Sequence, residues 1–208
     1  MTDTETLPGV ILAGGRAQRM GGGDKGRLIL GGQPILARVI GRLAPQVGAL
    51  ALNANGDPGR FADLGLPVLP DSVEGFAGPL AGILAGMDWA AGQGARAIVT
   101  VAADTPFLPR DLVARLRAGR GDPQVPVIAA TPDPAKETLR HPTFGLWPVA
   151  LRDDLRAALS AGTRKVTQWA DAQGARAALF PIAGLDPFFN INTPQDLARA
   201  EILLSGGT

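Results

Sequence analysis

Short apolar runs alternate with helical patterns along the whole chain, and this alternation limits the possible folds more than any other feature. Strands that alternate with helices predict a parallel sheet with both faces covered. We therefore predict an α/β fold: a single doubly wound, mostly parallel sheet with helices on both faces, in one domain spanning residues 1–208. The predicted strands are 9–12, 49–53, 68–69, 97–102, 127–130, 143–147 and 178–180, and the predicted helices are 35–44, 79–92, 109–118, 149–161, 165–173 and 194–204.

Composition excludes several classes of function. The chain has no cysteine, which removes disulfides, thiolate metal sites and cysteine nucleophiles. Its 20 basic and 19 acidic residues give a net charge of +1, so we expect neither nucleic acid nor an acidic membrane surface as a partner. The first residues are polar and acidic, unlike a secretory leader, and the sequence has no apolar run of membrane-spanning length. We expect a cytoplasmic protein.

A glycine-rich, basic segment follows the first predicted strand, from Leu12 to Lys25. Glycines such as Gly14 and Gly15 let the backbone turn tightly and present several N–H donors to an oxyanion. Arg19 and Lys25 add positive charge. The spacing matches neither a Walker A loop nor a dinucleotide fingerprint, so we interpret it as a different phosphate-binding loop. The alternative is a surface loop with solvated arginines.

Polar side chains follow the other predicted strands at their carboxyl ends, where ligands bind in such folds. Asn53 ends the second strand, Asp71 follows the third, and Asp104 follows the long apolar strand 97–102. Mg²⁺ in phosphate sites takes only one or two protein carboxylates, so Asp104 is the candidate metal ligand. The alternatives are turn or cap roles for Asn53 and Asp71, and a helix cap for Asp104.

Later motifs are more ambiguous. The segment 78–82 begins a predicted helix and has a glycine at each end. The glycines allow either close approach of a flat ligand or tight helix packing. Asn190 and Asn192 alternate around an isoleucine, so both amides face one side of an extended segment. Arg164 and Lys165 follow a predicted helix end, where they complement the helix dipole or bind a second phosphate. The single histidine is predicted in a loop, as a structural residue.

These motifs, in this order, resemble the molybdenum cofactor guanylyltransferase family. The resemblance begins at Leu12-Ala-Gly-Gly-x-x-x-Arg-Met-Gly21 and Asp24-Lys25, which alone would indicate the wider nucleotidyltransferase superfamily. It continues through nearly the whole chain, at Gly78-Pro-Leu-Ala-Gly82, Asp104-Thr-Pro-Phe-Leu-Pro109, His141-Pro142, Ala161-Gly-x-Arg-Lys-Val166 and Phe189-Asn-Ile-Asn-Thr-Pro194.

The resemblance implies a Rossmann-like nucleotidyltransferase fold, with a nucleotide-binding half at about 7–110 and an acceptor-binding half at about 111–208. It implies Arg19, Lys25 and Asp104 as catalytic residues, with Asp104 as the Mg²⁺ ligand. The implied sites are Leu12, Ala13, Gly14, Gly15, Lys25, Asn53, Asp71 and Asp104 for the nucleotide, and Arg164, Lys165, Asn190 and Asn192 for the acceptor.

The reaction that the resemblance implies transfers GMP from GTP to the phosphate of molybdopterin, giving the guanine dinucleotide cofactor and pyrophosphate. It also implies transient contact with other proteins of cofactor biosynthesis or delivery to molybdoenzymes. Two alternatives are a related nucleotidyltransferase that uses CTP or a sugar phosphate, and a GTP-binding module for cofactor delivery without turnover.

Overall fold

The computed structural model describes residues 6–14, 25–73 and 78–206, which form nine strands and six α-helices joined by short 3-10 turns. The strands are β1 Gly9–Leu12, β2 Ile29–Leu30, β3 Gln33–Pro34, β4 Leu50–Asn53, β5 Val68–Leu69, β6 Ala97–Ala102, β7 Val127–Asp133, β8 Glu137–Pro148 and β9 Arg176–Leu179. The helices are α1 Ile35–Leu43, α2 Pro79–Ala91, α3 Leu112–Arg120, α4 Arg152–Ser160, α5 Val166–Ala172 and α6 Pro194–Ser205.

Seven strands form one sheet in the order β5-β4-β1-β6-β8-β7-β9. The first four of these are mutually parallel, and β9 is parallel to β7. Strand β8 runs antiparallel to both of its neighbours. The predicted fold, a mostly parallel sheet, is therefore confirmed. Strands β2 and β3 form a separate two-stranded hairpin that the sequence did not predict.

Helices cover both faces of the sheet because successive strand residues point to opposite sides. In β1, Ile11 belongs to one hydrophobic cluster with side chains from α1 and α3, while Val10 belongs to another with side chains from α2, α4 and α5. A third, smaller cluster joins Leu30 of the hairpin to Ile191 and to α6. With both faces covered, the carboxyl ends of the parallel strands are left as the edge where a ligand can bind.

Several predicted boundaries are wrong. Strand β8 begins at Glu137, well before the predicted start at residue 143, and β7 extends to Asp133, past its predicted end at residue 130. His141 therefore lies in a strand and not in a loop. The next residue, Pro142, is tolerated because the β7–β8 register shifts there, and a bulge needs no ladder hydrogen bond from proline. Helix α3 begins at Leu112, later than the predicted 109.

Helix α6 begins with a capping box. Thr193 is the N-cap and accepts from the backbone N–H of Asp196, whose side chain accepts in turn from the Thr193 N–H. Pro194 occupies the first turn, where no intrahelical donor is lost. The start of α6, and with it the preceding segment 190–192, is thereby fixed.

Among the residues that the structure describes, every helix is too short or too polar to cross a membrane.

Candidate active site

Four neighbouring parallel strands end at one edge of the sheet, and the predicted polar residues lie there. Leu12 and Asn53 are paired at the ends of β1 and β4, and the Ala13 N–H donates to the Asn53 carbonyl oxygen at 2.9 Å. The Ala103 N–H donates to the Leu12 carbonyl oxygen at 3.1 Å, immediately before Asp104. These contacts place Leu12, Asn53 and Asp104 at one edge of the sheet, where the sequence predicted them. Gly15 and Arg19 lie outside the described residues.

Asp71 is held between two asparagines. The Asn53 Nδ2 donates to one carboxylate oxygen of Asp71 at 3.0 Å, and the Asn55 Nδ2 donates to the other at 2.7 Å. The Asp71 backbone N–H returns a bond to Asn55 Oδ1 at 2.9 Å. Asn53 is only 3% exposed, so its amide is also anchored, by a 3.0 Å bond to the Leu69 carbonyl oxygen. The carboxylate is thus fixed in orientation, with acceptor capacity remaining for a ligand.

Lys25 reaches from the first third of the chain to its last segment. Its Nζ donates to Asn192 Oδ1 at 2.8 Å, although the two residues are 167 positions apart. Lys25 opens the 3-10 turn Lys25–Arg27, and Gly26 packs so closely on Leu36 that an added Cβ would lie 3.0 Å from the Leu36 Cβ. The turn and α1 together therefore fix where the lysine side chain starts.

Asp104 lies next to this lysine. Burial raises the pKa of the Asp104 carboxyl group, and the positive charge of Lys25, a backbone hydrogen bond and the Thr105 hydroxyl oppose that increase. A partly desolvated carboxylate beside an ammonium group favours a cation or a cationic side chain as its partner. Asp104 is therefore the residue that would hold a divalent cation here.

Asn190 contacts the residue that follows Asp104. The Ile191 N–H donates to the Asp104 carbonyl oxygen at 2.9 Å, which fastens the segment 190–192 to the end of β6. The Thr105 hydroxyl, fully buried, bonds Asn190 Oδ1. The structure therefore places both predicted asparagines at the strand ends that carry Asp104.

Arg164 and Lys165 lie in the connection between α4 and α5. Arg164 donates to the carbonyl oxygens of Leu159 and Thr163, at the end of α4 and in that connection. These contacts stabilise the helix end, as the dipole interpretation predicts.

The glycines of α2 serve helix packing. A Cβ on Gly82 would lie 2.2 Å from Asn53 Oδ1 and 2.9 Å from a Leu12 methyl carbon, so only glycine fits between the helix and the site. Sequence reasoning missed Asn55 and Thr105 as site residues. Asn55 had a usable signal, since it follows Asn53 by two residues just beyond a strand end, whereas the partner of Thr105 is 85 residues away.

Polar and charged side chains at the carboxyl edge of a doubly wound sheet are typical of nucleotide-binding α/β proteins. The comparisons with known proteins identify this one as a nucleotidyltransferase. Residues 9–177 match the model of the MobA-like NTP transferase domain. The chain belongs to this family, and within it to the molybdenum cofactor guanylyltransferases.

The relatives that support this membership cover nearly the whole chain. The chain is 54% identical over 203 residues to the molybdenum cofactor guanylyltransferase of Bradyrhizobium sp. (strain ORS 278), covering 96% of this chain and 94% of the relative. It is 51% identical over 207 residues to that of Mesorhizobium japonicum, covering 97% and 98%.

Solved structures support the fold. Molybdopterin-guanine dinucleotide biosynthesis protein A from Archaeoglobus fulgidus superimposes with a TM-score of 0.71 at 22% identity, over 96% of this chain and all of the other. The 2-C-methyl-D-erythritol 4-phosphate cytidylyltransferase from Thermus thermophilus gives 0.69 at 21% identity, over 97% of this chain and all of the other.

Proposed function

We propose that this protein transfers GMP from GTP to the terminal phosphate of a molybdopterin-type cofactor. The observation that carries the proposal is the meeting of Lys25, Asp104 and Asn192 at one sheet edge, in a chain 54% identical to a molybdenum cofactor guanylyltransferase. The nucleotide binds on the side of Leu12, Ala13, Gly14, Asn53 and Asp71.

The acceptor phosphate attacks the α-phosphorus of GTP. A phosphorus–oxygen bond forms to the acceptor, the bond to the bridging oxygen breaks, and pyrophosphate leaves with the electron pair. A phosphate monoester has a second pKa of about 6, so the nucleophile is ionised at neutral pH and needs no general base. The protein therefore contributes alignment and charge stabilisation rather than proton transfer.

Lys25 stabilises the charge that develops on the leaving pyrophosphate, and Arg19 acts with it. The lysine ammonium is a flexible point donor, suited to follow phosphate oxygens as they move. Its bond to Asn192 is exchanged for bonds to the nucleotide phosphates. The acceptor lies against Asn190 and Asn192, with Arg164 and Lys165 further out on its approach, so that residues 7–110 serve mainly the nucleotide and 111–208 mainly the acceptor.

Asp104 is the residue that would hold a divalent cation, which we propose is Mg²⁺. The chemistry of the donors fits, because the carboxylate is partly desolvated and Mg²⁺ in phosphate sites needs only one or two protein carboxylates. Among the described residues no three His, Cys, Asp or Glu side chains group into a cluster that could hold a metal ion. When bound, the ion neutralises charge on the phosphates.

A transfer assay tests the proposal. Purified protein is incubated with molybdopterin, magnesium and one of GTP, CTP, UTP or ATP, and the dinucleotide and pyrophosphate are measured. We expect product with GTP. Product mainly with CTP, or GTP binding without pyrophosphate release, would favour the cytidylyltransferase or the non-catalytic module instead. Asp104→Asn is the control: loss of such charge stabilisation should lower turnover about 10²- to 10³-fold.

A further inference from the structure

Thr105 is a fully buried polar residue of the site. It follows Asp104 in the chain and contacts Asn190, so it joins the segment that carries the carboxylate to the segment that carries the asparagines. Its hydroxyl oxygen contacts Asn190 Oδ1 closely and lies 3.4 Å from Asp104 Oδ1. A hydroxyl group has one proton to donate, and the shorter contact receives it. The Asn190 carbonyl is therefore an acceptor for a donor that comes from the protein interior.

This bond determines which end of the Asn190 amide faces outward. With the carbonyl turned toward Thr105, the NH₂ group points away from the interior, and Asn190 is exposed to solvent. The backbone cannot rotate to compensate, since the Ile191 N–H is bonded to the Asp104 carbonyl oxygen at 2.9 Å. The Asn192 amide is oriented by a similar contact: its Oδ1 accepts from Lys25 Nζ, which leaves its NH₂ group for another partner. Both amides thus present N–H donors, which suit an anion.

We propose that Thr105 is a positioning residue for the acceptor: its hydroxyl holds the Asn190 amide so that the NH₂ group donates to the acceptor phosphate. Thr105 acts through Asn190 and does not itself contact the substrate. The inference rests on the proposed function, which supplies the phosphate acceptor. It adds that binding of the acceptor depends on one buried hydroxyl group, which the assignment to the guanylyltransferases does not by itself imply.

The chain offers a matched pair of variants at this position. Thr105→Val keeps the shape of the side chain and removes the hydroxyl, whereas Thr105→Ser keeps the hydroxyl and removes a methyl group. At saturating GTP we expect Thr105→Val to raise the KM for molybdopterin by about tenfold, the size of one hydrogen bond. Thr105→Ser should restore a KM near that of the wild type. The Kd for GTP, measured by calorimetry, should stay within about twofold in both variants, since no nucleotide contact is removed.

A second measurement reads the amide itself, without substrate. In protein labelled with ¹⁵N-asparagine, the side-chain NH₂ signals of Asn190 are assigned by their loss in Asn190→Ala. We expect these signals to shift in Thr105→Val and to stay in place in Thr105→Ser. Unchanged amide signals in Thr105→Val, or equal KM values for the two Thr105 variants, would overturn the positioning role.

Failure of the proposed function looks different. Wild-type protein that makes no dinucleotide from GTP and molybdopterin would overturn the guanylyl transfer and the acceptor role of Asn190 together, while the amide signals of Thr105→Val would still shift.

Discussion

His141 is the one histidine of the chain, and its surroundings favour the neutral imidazole. Its Nε2 lies 3.0 Å from the Thr131 hydroxyl, and its ring stacks on Phe188 with centroids 4.2 Å apart. Burial lowers the pKa of His141, and the Asp186 carboxylate opposes that decrease. The ring thereby packs against the segment that leads from Phe188 to Asn190.

A histidine whose pKa is lower in the folded state makes stability depend on pH. The unfolded chain binds a proton near the ordinary histidine pKa of about 6.5, while the folded chain resists it, so stability present above that pH is lost as the pH falls. We expect the melting temperature of the wild type to decrease between pH 7 and about pH 5.5, and to decrease less in His141→Phe, which keeps a stacking ring. Differential scanning calorimetry at several pH values measures this.

The change of melting temperature with pH is compared between the two proteins, and not the melting temperature itself. The reason is that His141→Phe also leaves the Thr131 hydroxyl without its histidine partner. Asp104 acts in the opposite direction, since burial raises its pKa and its ionisation costs stability as the pH rises. Adding Asp104→Asn to both proteins removes that contribution. Equal slopes in the wild type and His141→Phe would show that the histidine is not the source.

At the scale of elements, α2 approaches the sheet through its glycines. Gly82 and Gly86 are one turn apart, and an added Cβ on Gly86 would lie 2.9 Å from methyl carbons of Ile98 and Val10. The same face places Gly82 against Asn53, a residue of the proposed nucleotide site, so a side chain at position 82 would disturb both the helix packing and that site. Helix α2 is almost entirely apolar, and most of its residues are buried.

Two alanine substitutions should therefore have opposite effects. Gly82→Ala forces Asn53 to move, which releases one side of Asp71, and overpacking of this kind costs about 1 to 3 kcal/mol. We expect a GTP Kd about tenfold higher and a lower melting temperature. Gly41→Ala in α1 is the matched control: nothing lies within 4 Å of the added Cβ, and the residue is exposed. There, alanine should raise the melting temperature by up to about 4 °C through helix propensity, with GTP affinity unchanged.

Calorimetry of GTP at a temperature where both variants are folded separates binding from stability. A Gly82→Ala protein that binds GTP as the wild type does would mean that the Asn53 orientation does not matter for the nucleotide.

The elements that the sequence predicted well are those whose signal is local. Strands β1, β5 and β6 match their predicted bounds because each is a mostly apolar run with a glycine, proline or aspartate within two positions of its end. The first half of β8 was missed because residues 137–141 include charged side chains and Pro142 follows them. Strand β3 is a glutamine followed by a proline, which carries no local strand signal, and β2 is defined by its pairing with β3.

The same distinction holds for the site. The positions of Asn53, Asp71 and Asp104 followed from the rule that ligands bind at strand ends. The supports of these residues did not, since Asn55 reaches Asp71 across 16 positions and Thr105 reaches Asn190 across 85. Such contacts depend on how the strands are ordered in the sheet, which no single segment specifies.

At the scale of the whole molecule, the last part of the chain is fastened to the first part at the site itself. Lys25 bonds Asn192, and the Asp104 carbonyl oxygen accepts from Ile191. The Asn192 backbone N–H donates to Asp196 Oδ2 at 2.9 Å, which helps to hold the pKa of Asp196 below its ordinary value. Asn192 therefore lies between the α6 cap and Lys25, and under the proposed function it couples the nucleotide half of the site to the acceptor half.

That position makes two substitutions of Asn192 distinguishable. Asn192→Asp places a carboxylate against the Lys25 ammonium, and a charged pair holds the lysine more firmly than an amide does. The new charge also repels the nucleotide phosphates. We expect GTP affinity and turnover both to fall, by about tenfold or more. Asn192→Ala instead releases Lys25, so GTP affinity should stay within about twofold of the wild type while the KM for molybdopterin rises.

Calorimetry of GTP with magnesium, together with the transfer assay, measures both quantities in the two variants. Equal GTP affinities in Asn192→Asp and Asn192→Ala would mean that Lys25 does not exchange Asn192 for the nucleotide phosphates, and the coupling between the halves of the site would have to run through Asp104 and Ile191 alone.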